Sequence, residues 1–131
     1  MAALKLLSGG AAHGLVAAVT PAFTAKTGCS IDGAYGAVGV MAGRLRDGEA
    51  VDVMILTAAL IGQLAKEGLV VAKSVADIGV VETAIAVRAG DAPPPIADEQ
   101  ATRAAFLAAD AIYVPDIVSS TAGAHVAKVL R

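Results

Sequence analysis

The sequence predicts an α/β protein in which helices cover both faces of a mostly parallel sheet, a three-layer αβα arrangement. Apolar runs typical of buried strands alternate with apolar stripes at helical spacing, and the connections between them are short. Short β-α-β connections favour parallel pairing, and a parallel sheet is normally buried on both faces. Apolar residues make up 56% of the chain and aromatic residues only 3%, which indicates a core of Ala, Val, Leu and Ile.

The first half of the chain predicts the order β-α-β-α-β-α. We expect strands at 3–7, 30–35 and 51–56. Three apolar stripes mark the helices: Leu15-Val19-Phe23, Val38-Met41-Leu45 and Leu60-Ile61-Leu64. Glycine adopts the left-handed conformation that follows many helices, so these helices are expected to end at Gly28, Gly48 and Gly68. Pro21 lies inside the first stripe and predicts a kink.

The second half of the chain has a different pattern of predicted strands and helices. An apolar run at 79–87 is expected to form a strand, and 111–114 a second, shorter one. Between them, 98–109 has the spacing of a helix. Ser119 or Ser120 is a candidate N-cap for a last helix that runs to the end of the sequence. Because that helix has no stop signal, two interpretations stay open: a terminal helix that frays, or a piece of a longer protein.

Charge and segment composition exclude several classes of protein. The formal net charge is −2 and no basic run is present, whereas nucleic-acid binding needs a cationic surface, so no nucleic-acid partner is expected. The stretch between Lys5 and Lys26 has no charged residue, but its glycines and Pro21 argue against a transmembrane helix. It also lacks the apolar core and cleavage site of a signal peptide. The chain is expected to be cytoplasmic as written, or periplasmic if a signal peptide has been removed.

Three loops rich in small residues precede predicted helices, at 8–14, 33–39 and 119–123. The N-terminus of a helix presents unpaired backbone N–H groups and a partial positive charge, and Gly or Ala lets a ligand approach them closely. Three such ends at one crevice would bind a small anion, with no cofactor and no metal ion. The candidate ligand-binding residues are Ser8, Gly9, Gly10, Ala11, Ala12, His13, Ala37, Val38, Gly39, Ser119, Ser120 and Thr121.

His13 is the most informative titratable residue in these loops. It lies at or near a helix N-terminus, where the positive end of the dipole disfavours the protonated imidazole. A neutral imidazole can donate a hydrogen bond to a ligand or act as a general base. His13 is therefore the catalytic candidate if the protein is an enzyme, and a loop histidine with no role is an equally good interpretation.

The order of these motifs resembles the type II periplasmic solute-binding proteins of ABC transporters, and among them the molybdate- and tungstate-binding branch. The resemblance rests on the loop at 8–14, the Met41-Ala42-Gly43-Arg44-Leu45 stripe, the strand at 51–55 and the segment 112–123. It implies that residues 1–82 form one lobe and 83–131 begin a second, incomplete one. It also implies a small anion in the cleft between the lobes and an ABC permease as a partner. The apolar faces of 83–131 are expected to be covered by residues outside this chain or by a second copy in a homodimer.

The chain departs from the molybdate-binding branch where the resemblance implies ligand contacts. In that branch, serines of the first two loops donate hydrogen bonds to the oxyanion, whereas the positions here are Ala11 or Ala12, and 37–39. The loss of these serines favours another small anion, such as a carboxylate. Two further classes stay open: a cytosolic isomerase or lyase of a small carboxylic acid that uses His13, and a ligand-sensing regulatory domain.

Overall fold

The computed structural model describes residues 2–131. The elements, in chain order, are β1 (Ala3–Gly9), a 3-10 turn (Gly10–Ala12), α1 (His13–Thr27), β2 (Ser30–Gly36), α2 (Val38–Arg46), β3 (Val53–Ile55), α3 (Ala58–Lys66), a second 3-10 turn (Ala72–Ser74), α4 (Glu99–Ala108) and α5 (Thr121–Val129). The predicted order β-α-β-α-β-α is therefore present from β1 to α3. None of the helices within 2–131 has the length and apolarity needed to cross a membrane.

The strands form one parallel sheet in the order β2-β1-β3. Leu4 lies opposite Ile31, and Leu6 opposite Val53, so apolar residues of neighbouring strands share a face. The prediction of parallel pairing is confirmed. Strand β1 is central, whereas β3 is three residues long and lies at an edge of the sheet that residues 2–131 form.

Helices lie on both faces of the sheet, which confirms the three-layer arrangement. On one face, Val16 of α1 is buried and lines the same groove as Leu6. On the other face, α2 approaches the paired glycines Gly9 and Gly36. A Cβ on Gly9 would lie 2.9 Å from Cγ1 of Val38, so α2 packs this closely only because β1 ends in glycine.

The core is small and aliphatic. Its buried apolar residues are Leu6, Leu7, Val16, Met41, Ala42 and Leu64. Leu64 of α3 is fully buried, and α3 packs beside α2. All these residues belong to the first 66 positions, so the buried core lies in the part of the chain predicted to be the first lobe.

The end of α1 follows the sequence closely. Gly28 has a φ of 73°, and its N–H donates to the Thr24 carbonyl at 2.8 Å, a left-handed cap as predicted. Helix α1 continues through Pro21 to Thr27. Pro21 and Ala17 are both exposed, so water can serve the Ala17 carbonyl, which has no helical donor at Pro21.

The two strands predicted in the second half are absent from residues 2–131, and these predictions were wrong. Residues 75–87 and 111–116 form neither helix nor strand, and Val80 and Tyr113 are 93% and 94% exposed. β-propensity expresses packing against a neighbouring strand, and no strand lies alongside either segment. The last helix also ends at Val129 rather than at Arg131.

We expect Leu64→Ala to lower the free energy of unfolding by about 2–5 kcal/mol, because the side chain is fully buried and its removal leaves a cavity. Urea denaturation followed by circular dichroism measures the change. Leu107→Ala deletes the same atoms from a helical side chain that is 72% exposed, and should change the free energy by less than about 0.5 kcal/mol. Equal effects of the two substitutions would contradict the position of the core.

Candidate functional site

The carboxyl ends of the strands meet at one edge of the sheet. Gly9 at the end of β1 pairs with Gly36 at the end of β2, and Ser8 pairs with Ile55 at the end of β3. The loops into α1, α2 and α3 therefore start side by side. Open α/β sheets bind ligands at this edge, because helix N-termini converge there.

The first loop presents backbone rather than side chains. Gly9 precedes the 3-10 turn and Ala12 precedes α1. Neither residue has a side chain that could accept a hydrogen bond from the backbone N–H groups of the turn that follows. Gly10 is exposed, and a Cβ added to it would meet no atom within 4 Å. The N–H of His13 donates to the Gly10 carbonyl, and the backbone at Gly10 itself lies next to open space that a small ligand can enter.

Ser8 has a different position from the other candidates. It is completely buried at the end of the central strand, and its hydroxyl donates to the Gly9 carbonyl at 2.9 Å. A buried hydroxyl needs such a partner. The hydrogen bond fixes the backbone just before the loop, so Ser8 stabilises the conformation in which the loop begins.

His13 contacts an aromatic side chain that the sequence had not singled out. The ring centroids of His13 and Tyr35 are 4.3 Å apart, with planes tilted by 43°. Tyr35 in turn lies over Gly33, where a Cβ would be 2.7 Å from the tyrosine hydroxyl oxygen. The signal in the sequence is the alternation of β2, which puts Gly33 and Tyr35 on one face. The predicted strand at 30–35 and the predicted loop at 33–39 overlapped, and the structure assigns Gly33 to Gly36 to the strand.

The second loop is a single residue, Ala37, and it provides no side-chain cap for α2. The N–H of Gly39 instead donates to the Ser119 carbonyl at 3.1 Å. A Cβ on Gly39 would lie 2.9 Å from that oxygen. The structure thus brings together the second and third predicted loops, which are 80 positions apart in the sequence.

The third loop is held by its own hydrogen bonds. Oδ1 of Asp116 accepts from the N–H of Val118 at 2.9 Å and from the N–H and hydroxyl of Ser119 at 2.7 and 2.8 Å. These bonds, chiefly that from the Ser119 N–H, hold the pKa of Asp116 below its ordinary value. Because no strand precedes it, this loop is not the βα junction that was expected.

Side-chain hydroxyl groups also cap the N-termini of α5 and α3. The Ser120 hydroxyl oxygen accepts from the N–H of Gly123 at 3.4 Å, so Ser120 is the N-cap predicted for α5, and Thr121 is exposed as its first residue. Thr57 accepts from the N–H of Leu60 in the same way at the carboxyl edge. The sequence analysis missed Thr57, although a threonine directly after an apolar strand and before a helical stripe is a capping signal.

Only part of the predicted site is joined by direct contacts. Within residues 2–131, the hydrogen bond from Gly39 to Ser119 connects the second and third loops, and no hydrogen bond connects the first loop to residues 119–121. No group of three or more His, Cys, Asp or Glu residues that could hold a metal ion lies in the described part of the chain.

The fold agrees with what is found by comparison with known proteins. A family model described as bacterial extracellular solute-binding protein matches residues 4–131. No curated protein gives a significant match to the chain. Because the family model spans almost all of the sequence, the chain belongs to the family of bacterial extracellular solute-binding proteins.

Proposed function

We propose that this solute-binding protein holds a small anion at the carboxyl edge of its sheet, between the lobe formed by 1–82 and the residues 83–131. The observation that carries the proposal is the start of α1. Its N-terminus has no side-chain cap and adjoins the open space beside Gly10. The positive end of a helix next to accessible backbone N–H groups favours an anion over a neutral or cationic solute.

Small residues leave backbone N–H groups as the main donors on the side of the first lobe. Ala11 and Ala12 carry no polar side chain, and Gly9 and Gly10 carry no side chain at all. On the opposite side, the hydroxyls of Ser120 and Thr121 are the proposed donors, whereas the Ser119 hydroxyl donates to Asp116 and orders the loop. Val38 contributes packing against Gly9, and the Gly39 N–H holds the second loop against the third through the Ser119 carbonyl. His13, exposed at the start of α1, adds a ring nitrogen.

A carboxylate fits this donor set better than molybdate or tungstate. A tetrahedral oxyanion has four oxygens to satisfy, and a carboxylate has two. At the positions where the molybdate-binding branch has its ligand-binding serines, this chain has Ala11 or Ala12 in the first loop and residues 37–39 in the second. The hydroxyl of Ser8 is buried and bonded to the Gly9 carbonyl, so it does not replace them. The ligand we propose is a small carboxylic acid in its ionised form.

We propose that the protein acts outside the cytoplasm and delivers its ligand to an ABC-type permease. The description of its family as extracellular supports this location. We further propose that a second copy covers the exposed apolar side chains of 83–131. Val118 is 89% exposed and Val129 65% exposed, and burial of such side chains drives association.

An enzyme that uses His13 is the second candidate, and the contact of His13 with Tyr35 favours it. The two rings lie together near the edge where a substrate would bind, although the Tyr35 hydroxyl points back over Gly33. Among residues 2–131, however, no carboxylate is hydrogen-bonded to His13, and a catalytic histidine is usually oriented by such a partner.

We expect Gly10→Leu to abolish anion binding without loss of stability, because the added side chain enters the open space over the start of α1. Isothermal titration calorimetry with acetate, succinate, sulfate and molybdate measures binding. Gly62→Leu is the matched control, since a Cβ there also meets no atom within 4 Å but lies in the middle of α3. Unchanged binding in the Gly10 variant would move the site elsewhere.

We expect His13→Ala to weaken the binding of a carboxylate by about tenfold or less, the effect of losing one hydrogen bond. Loss of turnover by about 10²–10⁴-fold, with substrate and product followed by NMR, would instead identify His13 as a general acid or base. His125→Ala removes a histidine that is exposed on α5 and serves as the control. An effect as large in this control would remove His13 from the site.

A further inference from the structure

We propose that residues 81–88 of a second copy of the chain add to the sheet as a strand beside β3 and cover the apolar groove between α1 and β3. Residues 81–88 are called the exchange segment below. The inference makes specific the second copy proposed above, and it rests on that part of the proposed function. Anion binding at the carboxyl edge does not depend on it, so the two are tested separately.

The first observation is an apolar groove that the single chain leaves open. The groove has a volume of about 200 Å³ and lies between α1 and the edge strand β3. Every residue that lines it is apolar, among them Leu4 and Leu6 of β1, Val19 and Phe23 of α1, and Val53 and Ile55 of β3. Val19 and Val53 are exposed. An open groove of this composition favours contact with another apolar surface.

The second observation is the free edge of β3. Within residues 2–131, β3 pairs with β1 on one side and with no strand on the other. Such an edge presents N–H and C=O groups to which a further strand adds readily. Because Val53 and Ile55 line the groove, a strand added at this edge also extends the apolar floor of the groove.

The third observation is the strand-like pattern of the exchange segment, which has no partner in its own chain. In the described residues it forms neither helix nor strand, and every residue of it is exposed. Val81, Thr83, Ile85 and Val87 alternate with Glu82 and two alanines. When the segment is extended, its four β-branched side chains therefore share one face, the pattern of a strand that packs on an apolar surface.

The occupant is a second copy because the chain's own segment leaves the edge open. The 3-10 turn that precedes the segment packs on α3, and residues 75–88 remain exposed. Each copy carries both a groove and an exchange segment, so two copies related by a two-fold axis make the same contact twice and close.

The size of this double contact suits a dimer. A strand of eight residues is about 26 Å long and a sheet about 10 Å thick, so each contact buries roughly 260 Å² on each partner. Two contacts bury roughly 1,000 Å² before the grooves are counted, and the grooves bring the total to about 1,200 Å², where stable interfaces begin.

The alternation of the two strands fixes which faces meet. Val53 and Ile55 face the groove, so the β-branched face of the exchange segment joins them when Val87 lies opposite Val53 and Ile85 opposite Ile55. A shift by one residue would put the two alanines of the segment over the groove and turn its β-branched side chains away.

Charge selects the antiparallel direction. With Ile85 opposite Ile55, Arg88 lies opposite Asp52, and Glu82 lies opposite Ala58, the first residue of α3. An opposite charge across the strands and a carboxylate at a helix N-terminus both stabilise this pairing. The parallel direction reverses the order, since Glu82 would then lie opposite Asp52 and Arg88 at the N-terminus of α3.

The first test is a cross-link that only two copies are able to form. In a Cys29→Ser background, Val53→Cys and Val87→Cys are prepared as separate proteins and mixed under mild oxidation. Opposite residues of antiparallel strands have Cβ atoms about 4.5–5.5 Å apart, so a small shift brings the two thiols into disulfide geometry. We expect a covalent dimer from the mixture and none from either protein alone.

Two control mixtures make the cross-link specific. Val40→Cys replaces Val53→Cys in the first, because Val40 is similarly exposed but lies on α2, on the other face of the sheet, and no product is expected. The second pairs Val53→Cys with Thr83→Cys, which meet only if the strands are parallel. In the antiparallel register the two positions are about 13 Å apart, so this mixture should also give no product.

The second test measures the oligomeric state by sedimentation velocity over a range of protein concentrations. We expect the natural protein to dimerise, and Ile85→Asp to weaken the dimer by about tenfold or more, because a carboxylate would be buried in the groove. Ile78→Asp is the matched control, since it adds the same charge to an exposed isoleucine just before the exchange segment and should leave the dimer unchanged. Both residues are exposed in the single chain, and circular dichroism checks that both variants fold.

The results separate this pairing from the proposed function. A monomer at every concentration overturns the pairing, whether or not acetate binds. A disulfide that forms within a chain carrying both cysteine substitutions, but not in the mixture, shows that the chain's own segment is the occupant. A dimer that survives Ile85→Asp and gives no cross-link places the second copy on another surface. Dimers that show the cross-link but bind neither acetate nor molybdate overturn anion binding and leave the pairing intact.

Discussion

The in-register pairing of β1 with two parallel neighbours is the constraint on which the rest of the structure depends. Since Gly9 faces Gly36 and Ser8 faces Ile55, the three strands end together and the helices that follow begin together. A shift of one residue would move Leu6 from the face covered by α1 to the other face. The same register therefore sets the core and puts the helix N-termini at one edge.

The sequence predicted the elements whose signals are local and failed where a partner was needed. The α1 cap at Gly28 and the apolar stripe of each of the three helices are signals formed by residues close together in the sequence. They could therefore be recognised directly. The run at 79–87 has strand-like composition, yet it pairs with nothing in residues 2–131. Composition reports what a segment can form, and pairing depends on residues far away in the sequence.

The same limit applies to the site. The carboxyl edge followed from the order of elements. Ser119 or Ser120 was predicted as a cap from its residue type, and the structure selects Ser120. The contact of Gly39 with the Ser119 carbonyl could not be predicted, because it joins two backbone groups and leaves no mark in the side chains. The contact of His13 with Tyr35 was equally hidden, since only the register and the pleat of β2 put Tyr35 at that edge.

Close backbone approach also determines what kind of recognition this edge can perform. Gly9 admits the Val38 side chain, and Gly39 admits the Ser119 carbonyl, so the backbone of β1 and α2 is approached closely at this edge. Backbone N–H groups attract an anion but distinguish poorly between anions of similar size. Discrimination must then come from the few side chains at the edge, and His13 with Tyr35 is the pair that has both a polar atom and a flat apolar surface. Under the proposed function, this pair favours a carboxylate that carries an apolar group, since such a ligand makes use of both features.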